Sequence, residues 1–401
     1  MKQLLKKIFS EKFRRLIFST INRLWCAFCY HLPVKNRVLF YTIRCNGALD
    51  GNAKAVFDAL DGKKIIYAHK LPHSKLNKAI AYYYIITSKK IITDDFCRYL
   101  PNINLREGQR VIQLWHACGA FKKFGLDDEN SIFSPEIQKA YHEKYDAVTV
   151  SSPHCSEIYA KAFGIDKAKC LPVGVARTDE IINNLPEIKA NALKKHPEIE
   201  NKKIYLYCPT FREENGKITR FNPGIDFERL NNELSEDEIF IIRRHPLMNE
   251  PLFSEKFDKI IDLSAGNDST IELCSVAAVL ITDYSSVIYE AALMNTPCLF
   301  YCPDLEKYER GFYLNFPEDL PGKIITDAGD IVTSVRTINQ NEEFCKKLAS
   351  FKEKELSACD GKSTERIVEL VRKISVPSPL APPLGELSEG LRGNINLKSE
   401  K

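Results

Sequence analysis

The chain has 401 residues, 44% hydrophobic and 27% charged, a composition that excludes a fibrous or wholly disordered protein. This length suits two domains of roughly 150–200 residues each. The formal net charge is only +4, yet residues 1–40 hold nine lysines and arginines against the single acidic residue Glu11. The remainder is therefore slightly acidic, which argues against nucleic-acid binding.

The N-terminal segment, residues 1–33, alternates basic clusters with bulky apolar residues. This spacing predicts an amphipathic helix over residues 3–30 that lies in the headgroup region of an anionic membrane. The alternative is a basic helix that packs on the first domain. Charges continue through Arg23, which argues against a secretory signal. No stretch of about 20 uncharged apolar residues is present, so we expect no transmembrane helix.

Short apolar runs then alternate with helical stretches, a pattern typical of parallel sheets covered on both faces. The predicted strands are 37–43, 64–68, 90–93, 110–115, 146–151, 203–208, 238–243, 278–282 and 297–301. The predicted helices include 52–60, 285–293, 342–355 and 363–374.

The pattern pauses in a polar stretch at residues 183–201, where we place a domain boundary. The chain is therefore predicted to form two doubly wound parallel-sheet α/β domains, residues 34–182 and 202–374, facing a cleft in the GT-B type of architecture. The tail at 375–401 holds four prolines and no apolar periodicity, so it is predicted to be disordered.

The cysteines indicate a reducing compartment. There are 13 of them, an odd number spread along the chain, and Cys208 and Cys298 fall in predicted core strands. A disulfide framework is typical of short secreted chains instead. Cys26 and Cys29 form a single C-x-x-C with no second pair nearby to complete a zinc site, so we interpret them as packing thiols.

Candidate site residues are sought at strand ends, because ligands bind beyond the carboxyl ends of parallel strands. The first such end, residues 113–125, has His116 where the strand stops, then Lys122 and Lys123 among glycines. A histidine that titrates near neutral pH suits a general base that deprotonates a hydroxyl, and the lysines add positive charge. The alternative is a histidine that only caps the loop by hydrogen bonding.

Two further strand ends carry groups suited to a phosphate. Thr210 and Arg212 follow one strand, although Arg212 could instead form a surface ion pair. Arg243, Arg244 and His245 close the next strand, and two guanidinium groups at one strand end are costly to bury without an anion. A nucleotide diphosphate would satisfy this cluster. Side chains alternate along a strand, so only one of the two arginines need face the ligand.

The fourth strand end is a Thr/Asp/Ser turn that leads into a helix, with Thr282, Asp283, Ser285 and Ser286. Either serine can cap the helix, and the free N–H groups and dipole of a helix start attract phosphate. Capping alone explains one serine but not the whole group. Glu290, one turn further in, could accept hydrogen bonds from a ribose or be solvated.

The fifth strand end, residues 304–313, places Arg310 beside Gly311 and two aromatic residues. It is predicted either to cover a bound nucleotide or acceptor or to be an ordinary surface loop.

These five segments in this order resemble the CDP-glycerol glycerophosphotransferase family, which contains primases and polymerases of teichoic acids and related capsule polymers. The most specific parts are TDYSS at 282–286 and DLEKYERGFY at 304–313. The WH, PTFR and RHP segments at 115–116, 209–212 and 244–246 support them. One departure concerns the acceptor side: many members have glycine directly after WH, whereas Ala117 and Cys118 come first here.

The resemblance implies a GT-B fold and transfer of glycerol phosphate or ribitol phosphate from a CDP-alcohol, CDP-glycerol or CDP-ribitol, with release of CMP. The acceptor would be a lipid-linked glycan or polymer. It also implies a peripheral position on the anionic cytoplasmic face of the cell membrane, with no cofactor and no metal. In this scheme, residues 34–182 form the acceptor-side domain and residues 202–374 the CDP-donor-binding domain.

By this resemblance, His116 matches the catalytic base, and Arg212, His245, Ser285 and Ser286 match groups around the donor pyrophosphate. Together with the other strand-end residues, they complete the predicted site. His116 and His245 are the predicted catalytic residues, His116 as the base, and Lys122 and Lys123 are on the acceptor side. The predicted donor-binding residues are Thr210, Arg212, Arg243, Arg244, Thr282, Asp283, Ser285, Ser286, Glu290 and Arg310.

Two other functions stay open at this point. A GT-B nucleotide-sugar glycosyltransferase of surface polysaccharide synthesis would share the diphosphate site and differ only in the group that is transferred. A membrane-docked anion- or polymer-binding protein would need the basic N-terminus alone, and it would not need a histidine and anion-binding groups at separate strand ends.

Overall fold

The computed structural model of the chain describes nearly all of the two predicted domains. The described residues are 11–131, 133–214, 217–219, 222–245, 248, 252–266, 268–308, 311–316, 318–338 and 342–374. Three predictions concern residues outside these ranges: the disordered tail, the start of the N-terminal helix and the role of Arg310. Packing divides the described residues into two compact units: those within 11–116, 135–149 and 365–374 belong to the first, and those within 117–134 and 150–364 belong to the second. The domain boundaries drawn from sequence stay a prediction.

The elements follow an alternating β/α order. The helices are α1 Glu11–His31, α2 Gly51–Ala59, α3 Lys75–Thr87, α4 Pro135–His142, α5 Pro153–Phe163, α6 Thr178–Lys195, α7 Phe227–Glu233, α8 Thr270–Val276, α9 Val287–Met294, α10 Ile331–Thr337, α11 Glu342–Leu356 and α12 Ser363–Lys373. The strands are β1 Lys35–Thr42, β2 Lys64–Ala68, β3 Ser88–Thr93, β4 Arg110–Gln113, β5 Ala147–Thr149, β6 Cys170–Leu171, β7 Lys203–Cys208, β8 Arg212–Glu214, β9 Lys217–Thr219, β10 Glu238–Ile242, β11 Ile260–Asp262, β12 Val279–Thr282, β13 Cys298–Tyr301 and β14 Gly322–Ile325.

The first sheet has the strand order β2-β1-β3-β4-β5-β6. Strands β1, β3 and β4 pair in parallel and are lined by buried side chains such as Leu39, Ile91 and Val111. Continuous burial is expected where helices cover both faces of a parallel sheet. Because the strands run in one direction, the residues that follow β1, β3 and β4 lie at the same edge.

The second sheet has the order β11-β10-β7-β12-β13-β14, with every neighbouring pair parallel. Its residues alternate between two apolar cores. Along β7, Ile204 and Leu206 belong to one core, and Tyr205 and Tyr207 belong to the other. The period of two residues is that of a strand with both faces buried. A separate hairpin pairs β8 with β9 antiparallel.

Local sequence signals set the ends of the helices. Ser152 caps α5 by accepting a hydrogen bond from the N–H of Cys155, and Pro153 occupies the first turn, where a missing N–H costs nothing. Gly164 ends the helix with φ 64°, and a Cβ there would lie 2.7 Å from a methyl of Leu126. Glycine is therefore favoured at this position, because it adopts the left-handed conformation without steric cost.

The strands predicted from apolar runs are confirmed, with ends that shift by at most two residues. The missed strands are β6, β8, β9, β11 and β14, all of four residues or fewer. The run predicted at 110–115 ends as a strand at Gln113, which leaves the next residues free to turn. The polar stretch at 183–201 is mostly occupied by α6, which continues past Pro186 beyond a kink at Asn184.

The predicted N-terminal helix is present as α1, and its two sides differ. Trp25 donates its Nε1–H to the carbonyl of Ala79 at 2.8 Å, and Cys29 is fully buried. Ile21, Leu24 and Phe28 are exposed by 53%, 66% and 52%. The helix thus packs through Trp25 and Cys29, while Ile21, Leu24 and Phe28 form a neighbouring apolar stripe that stays exposed, with the Phe28 ring stacked on that of Trp25. Among the described residues, no helix combines the length and apolar character needed to span a membrane.

A buried carboxylate fastens the amino end of β10. Glu238 is 4% exposed, and it accepts hydrogen bonds from Arg336 Nε at 3.0 Å, Tyr205 Oη at 2.6 Å and the Ser235 N–H at 3.0 Å. The bond from Arg336 holds the pKa of Glu238 well below its ordinary value. A carboxyl with a depressed pKa stabilises the fold above its unfolded pKa, and this contribution is lost as the pH falls.

We expect Arg336→Leu to lower the free energy of unfolding by about 1–3 kcal/mol at neutral pH, because it leaves a buried carboxylate without its cation. The deficit should shrink below about pH 4, where Glu238 of the unfolded chain becomes protonated. Urea denaturation across this pH range measures both effects. The control is Lys346→Met, which breaks an exposed pair with Glu342 and should cost under about 0.5 kcal/mol. A deficit independent of pH would contradict this account.

Candidate active site

His116 lies just beyond β4, at the carboxyl edge of the first sheet. Its Nδ1 is 3.3 Å from the carbonyl oxygen of Asp94 and 3.7 Å from Oδ2 of Asp95. A carbonyl oxygen only accepts hydrogen bonds, so Nδ1 carries the hydrogen and Nε2 of the neutral ring has the lone pair. This is the tautomer that a general base acting through Nε2 requires.

Asp94 and Asp95 follow β3 and are not among the site residues predicted from the sequence. Arg44 Nη1 lies 3.5 Å from Asp95 Oδ2, so this carboxylate faces both a guanidinium and the imidazole of His116. Asp94 is 5% exposed, and burial raises its pKa to about 6. The strand-end rule applied to His116 would also have selected these two residues.

Trp115, between β4 and His116, has φ 53°, in the left-handed region that bulky residues rarely adopt. Such a conformation costs on the order of 1–3 kcal/mol unless the surroundings enforce it. Its N–H donates to Oε1 of Gln113 at 2.8 Å, and its carbonyl accepts from Nδ2 of Asn52 at 3.0 Å. The indole stacks on the His116 ring with centroids 4.5 Å apart.

The segment after His116 belongs to the second unit, and Lys122 and Lys123 lie there. Lys122 forms an antiparallel bridge with Phe312, and the N–H of Lys123 donates to the carbonyl of Gly311 at 2.8 Å. Lys122 Nζ is 5.6 Å from the ring centroid of Tyr308. The two lysines thus accompany the 304–313 segment, and their predicted role on the acceptor side stays a prediction.

Arg212 is held between two carboxylates. Its Nε and Nη2 donate to the Asp304 carboxylate at 2.6 and 3.0 Å, and Nη2 lies 2.9 Å from Asp283 Oδ2. The rings of Tyr284 and Tyr308 pack on the guanidinium, with centroids 5.0 and 5.6 Å from its carbon. The Arg212 side chain is 12% exposed. The ion pair considered from the sequence is present, but it is buried, and its two carboxylates outnumber the one cation.

Asp283 also shapes the turn after β12. Its Oδ1 accepts from the N–H groups of Thr210 and Tyr284 at 2.8 and 2.7 Å. Thr282 donates its hydroxyl to the carbonyl of Cys208 at 2.7 Å, which ties β12 to β7. Asp283 and Thr282 therefore hold the turn after β12 in place. The sequence predicted only contacts of these two residues with the donor. Thr210 Oγ1 is buried with no hydrogen-bond partner among the described residues.

The two arginines after β10 have partners that the sequence did not predict. Both are buried, and protein groups face them. Arg243 Nη1 donates to the carbonyls of Leu263, Ser264 and Gly266 at 2.7, 3.1 and 3.0 Å. Arg244 donates to Ser264 Oγ at 3.2 Å, and its Nη2 lies 3.7 Å from Asp262 Oδ2. The loop after β11 thus supplies partners that the sequence did not predict, and the donor-binding role of both arginines stays a prediction.

His245, the third member of that strand end, is exposed, and its ring lies 5.0 Å from that of Phe211. Helix α9 begins at Val287, whose N–H donates to Ser285 Oγ at 3.3 Å, whereas Ser286 makes no side-chain cap. Both serines are at least partly exposed at this helix start. His245, Ser285 and Ser286 therefore keep the accessibility that a donor-binding role needs.

Glu290 is buried in α9 and pairs with Arg177, whose Nη2 lies 2.5 Å from Glu290 Oε1. The sequence offered a ribose contact or a solvated carboxylate, and the structure gives a third outcome, a buried ion pair. Arg177 was missed because it follows β6. This strand has only two residues, which is too short for a prediction from sequence. Arg310 lies outside the described residues.

No group of three or more histidine, cysteine, aspartate or glutamate residues in the described part of the chain could hold a metal ion. All 13 cysteines are free thiols, most of them buried, and burial raises the pKa of Cys26 and of Cys29, the latter to about 11. This is the behaviour of packing thiols. The expected independence of metals and cofactors stays a prediction.

A sequence model of the family described as CDP-Glycerol:Poly(glycerophosphate) glycerophosphotransferase matches residues 27–373. The chain belongs to this family. The teichoic acid ribitol-phosphate primase of Bacillus spizizenii is 30% identical over 385 residues, 91% of this chain and 97% of that protein. The teichoic acid glycerol-phosphate primase of Bacillus subtilis is 32% identical over 303 residues, 73% of this chain and 76% of that protein. The resemblance inferred from the strand-end motifs is confirmed.

The solved structure of the wall teichoic acid polymerase TagF aligns with this glycerophosphotransferase family member at a TM-score of 0.73. The two chains are 22% identical, and the alignment covers 91% of this chain and 98% of TagF. At this identity the likeness concerns the fold. Together with the two parallel sheets, it confirms the predicted α/β fold of GT-B type.

We expect Arg212→Met to destabilise the ligand-free protein by about 2–4 kcal/mol, because it leaves Asp283 and Asp304 facing each other without a cation. The value lies below that of a fully buried pair, since Asp304 is 24% exposed. Chemical denaturation without any nucleotide measures it. The matched control is Arg229→Met, which breaks a solvent-exposed pair with Glu233 and should leave the stability nearly unchanged. Unchanged stability together with lost nucleotide binding would instead make Arg212 a ligand group.

Proposed function

We propose that this chain transfers glycerol phosphate or ribitol phosphate from the matching CDP-alcohol to a lipid-linked acceptor of a teichoic-acid-type polymer and releases CMP. The observation that carries this proposal is the family match over residues 27–373. Relatives whose names specify ribitol phosphate and glycerol phosphate are similarly distant, at 30% and 32% identity. The proposal therefore includes both polyols.

The reaction is a single displacement at phosphorus. The acceptor hydroxyl oxygen attacks the β-phosphorus of the CDP-alcohol, and the bond from that phosphorus to the bridging oxygen breaks. The bridging oxygen leaves with the electron pair as part of CMP, and the hydroxyl proton passes to Nε2 of His116. The orientation of Nδ1 towards Asp94 and Asp95 supports this assignment, since it reserves the lone pair for Nε2.

Phosphoryl transfer depends mainly on in-line positioning and on neutralising negative charge. We assign the donor diphosphate to His245 and to the start of α9 at Ser285 and Ser286, whose N–H groups and dipole favour an anion. Arg212 contributes differently from the expectation drawn from the sequence. Its charge is already balanced by two carboxylates, so we assign it to holding the loops around the donor rather than to the phosphates themselves.

A peripheral position on the anionic cytoplasmic face of the membrane is the second part of the proposal. Ile21, Leu24 and Phe28 recur at intervals of three and four residues and are all more than half exposed. Residues at this spacing share one face of a helix. Arg23 and the basic residues of the N-terminal segment would add attraction to anionic lipid.

Transfer of a β-phosphorus label separates the proposed reaction from sugar transfer. CDP-glycerol or CDP-ribitol labelled at the β-phosphate should pass its label to a lipid-linked acceptor, and His116→Ala should lower turnover by about 10²-fold or more with the fold intact. His196→Gln, outside the proposed site, serves as the matched control. Near-normal turnover of His116→Ala would remove this residue from the mechanism. Transfer of sugar from a UDP- or GDP-sugar, with no movement of phosphate label, would replace the proposal with a glycosyltransferase.

Vesicle flotation tests the membrane position. The double variant Leu24→Glu/Phe28→Glu should bind vesicles that contain phosphatidylglycerol at least about tenfold more weakly than the parent chain, because two apolar side chains no longer enter the interface. Ile137→Glu, at a residue that is 47% exposed on α4, is the matched control and should bind normally. Equal binding of the double variant and the parent would show that this face of α1 is not the membrane contact.

A further inference from the structure

Trp115 stands out in its backbone conformation. Outside glycine, the described residues with positive φ are Trp115, Asn201 and Asn295. Asparagine tolerates the left-handed region because its short side chain bonds locally, whereas a bulky aromatic residue does not. A conformation of this kind persists only where the neighbours enforce it, and such positions cluster at functional sites. Here the strained residue directly precedes His116.

Two buried amide side chains enforce this conformation. Asn52, 4% exposed in the first turn of α2, donates Nδ2–H to the Trp115 carbonyl at 3.0 Å. This carbonyl belongs to the peptide group that joins Trp115 to His116, so Asn52 fixes the plane from which the His116 side chain departs. Gln113, fully buried, accepts from the Trp115 N–H at 2.8 Å. Neither bond belongs to the ladder of the sheet.

Gln113 also holds the Asp94–Asp95 segment, which faces Nδ1 of the His116 ring. Its Nε2 donates to the Asp95 carbonyl and to Tyr145 Oη, both at 3.1 Å. Thr93 Oγ1 donates to the same Asp95 carbonyl at 2.7 Å. The strained peptide and the Asp94–Asp95 segment that faces His116 Nδ1 are therefore held by one connected set of buried hydrogen bonds.

We propose that Asn52 is a positioning residue, which holds the Trp115–His116 peptide so that the imidazole keeps Nδ1 towards Asp94 and Asp95 and presents Nε2 to the acceptor hydroxyl. This inference rests on the proposed function for the identity of the reaction. Asn52 does so through the backbone of Trp115 and needs no contact with either substrate. A purely structural use, satisfying one buried carbonyl, is the competing explanation.

The test compares Asn52→Leu with Gln109→Leu. Gln109 is another buried amide of the first unit, and it also donates to backbone carbonyls, those of Ile85 and Ser88. Both variants should lose stability. Only Asn52→Leu should lower kcat, by on the order of 10²-fold, with KM for the CDP-alcohol changed by less than about threefold, because the loss is one of orientation. Equal kcat values for the two variants would reduce Asn52 to a structural residue.

Relief of the strain supplies a second variant that keeps the proposal testable. Glycine adopts φ near 53° without steric cost, so Trp115→Gly removes the strain that Asn52 opposes, together with the indole that stacks on His116. In the Trp115→Gly background, Asn52→Leu should lower kcat by less than about threefold. An undiminished loss of kcat in that background would overturn the proposed route through the Trp115 backbone.

The ring tautomer gives a readout that does not depend on turnover. In protein with ¹⁵N-labelled histidine, the His116 signals, assigned by their absence in His116→Gln, should report hydrogen on Nδ1 in the parent chain and a mixture of tautomers in Asn52→Leu. Unchanged signals in Asn52→Leu would contradict the proposal. If the parent chain transfers no phosphate from any CDP-alcohol, the proposed function fails, while these signals still decide whether Asn52 orients the imidazole.

Discussion

The direction of the strands is the constraint on which the rest of this protein depends. Every registered strand pair within the two main sheets is parallel, so the loops that follow the strands of one sheet share one edge. Residues far apart in sequence thereby come together in space, as His116 does with Asp95 at the first sheet. The backbone groups beyond the strand ends lose their ladder partners there, and buried side chains must replace them. The amides of Asn52 and Gln113 do this for Trp115.

Charge is used differently in the two units. At the first sheet, the carboxylate of Asp95 faces both His116 and Arg44. The Arg44 side chain is exposed to solvent. In the second unit, guanidinium groups bind to other groups of the protein. Arg212 lies between carboxylates, and Arg243 donates hydrogen bonds to carbonyl oxygens. Among the described residues, the groups that we assign to the donor diphosphate are therefore a helix start and an imidazole. These groups attract an anion without the desolvation cost of a buried arginine.

The sequence predicted the fold and the loops of the site more fully than the contacts within them. Apolar runs such as Lys203–Cys208 predict buried strands, because the pattern lies within a few consecutive residues. Strand β11 was missed because its three residues are too few to show a periodicity. The partners of Arg212 and Trp115 are a different matter. Asp304 is 92 residues from Arg212, and Asn52 is 63 residues from Trp115. Such pairings arise only when the strands are assembled, so local patterns contain no signal for them.

The arrangement around Arg212 also bears on how this family diverges. One cation holds two acidic side chains, and each acid has further duties: Asp283 caps the turn before α9, and Asp304 accepts from the hydroxyl of Tyr284 at 3.2 Å. Loss of the cation alone would leave two adjacent negative charges, and loss of both acids would leave a lone buried guanidinium. Single replacements should therefore be rare. In an alignment of relatives, Arg212, Asp283 and Asp304 should be either retained together or replaced together.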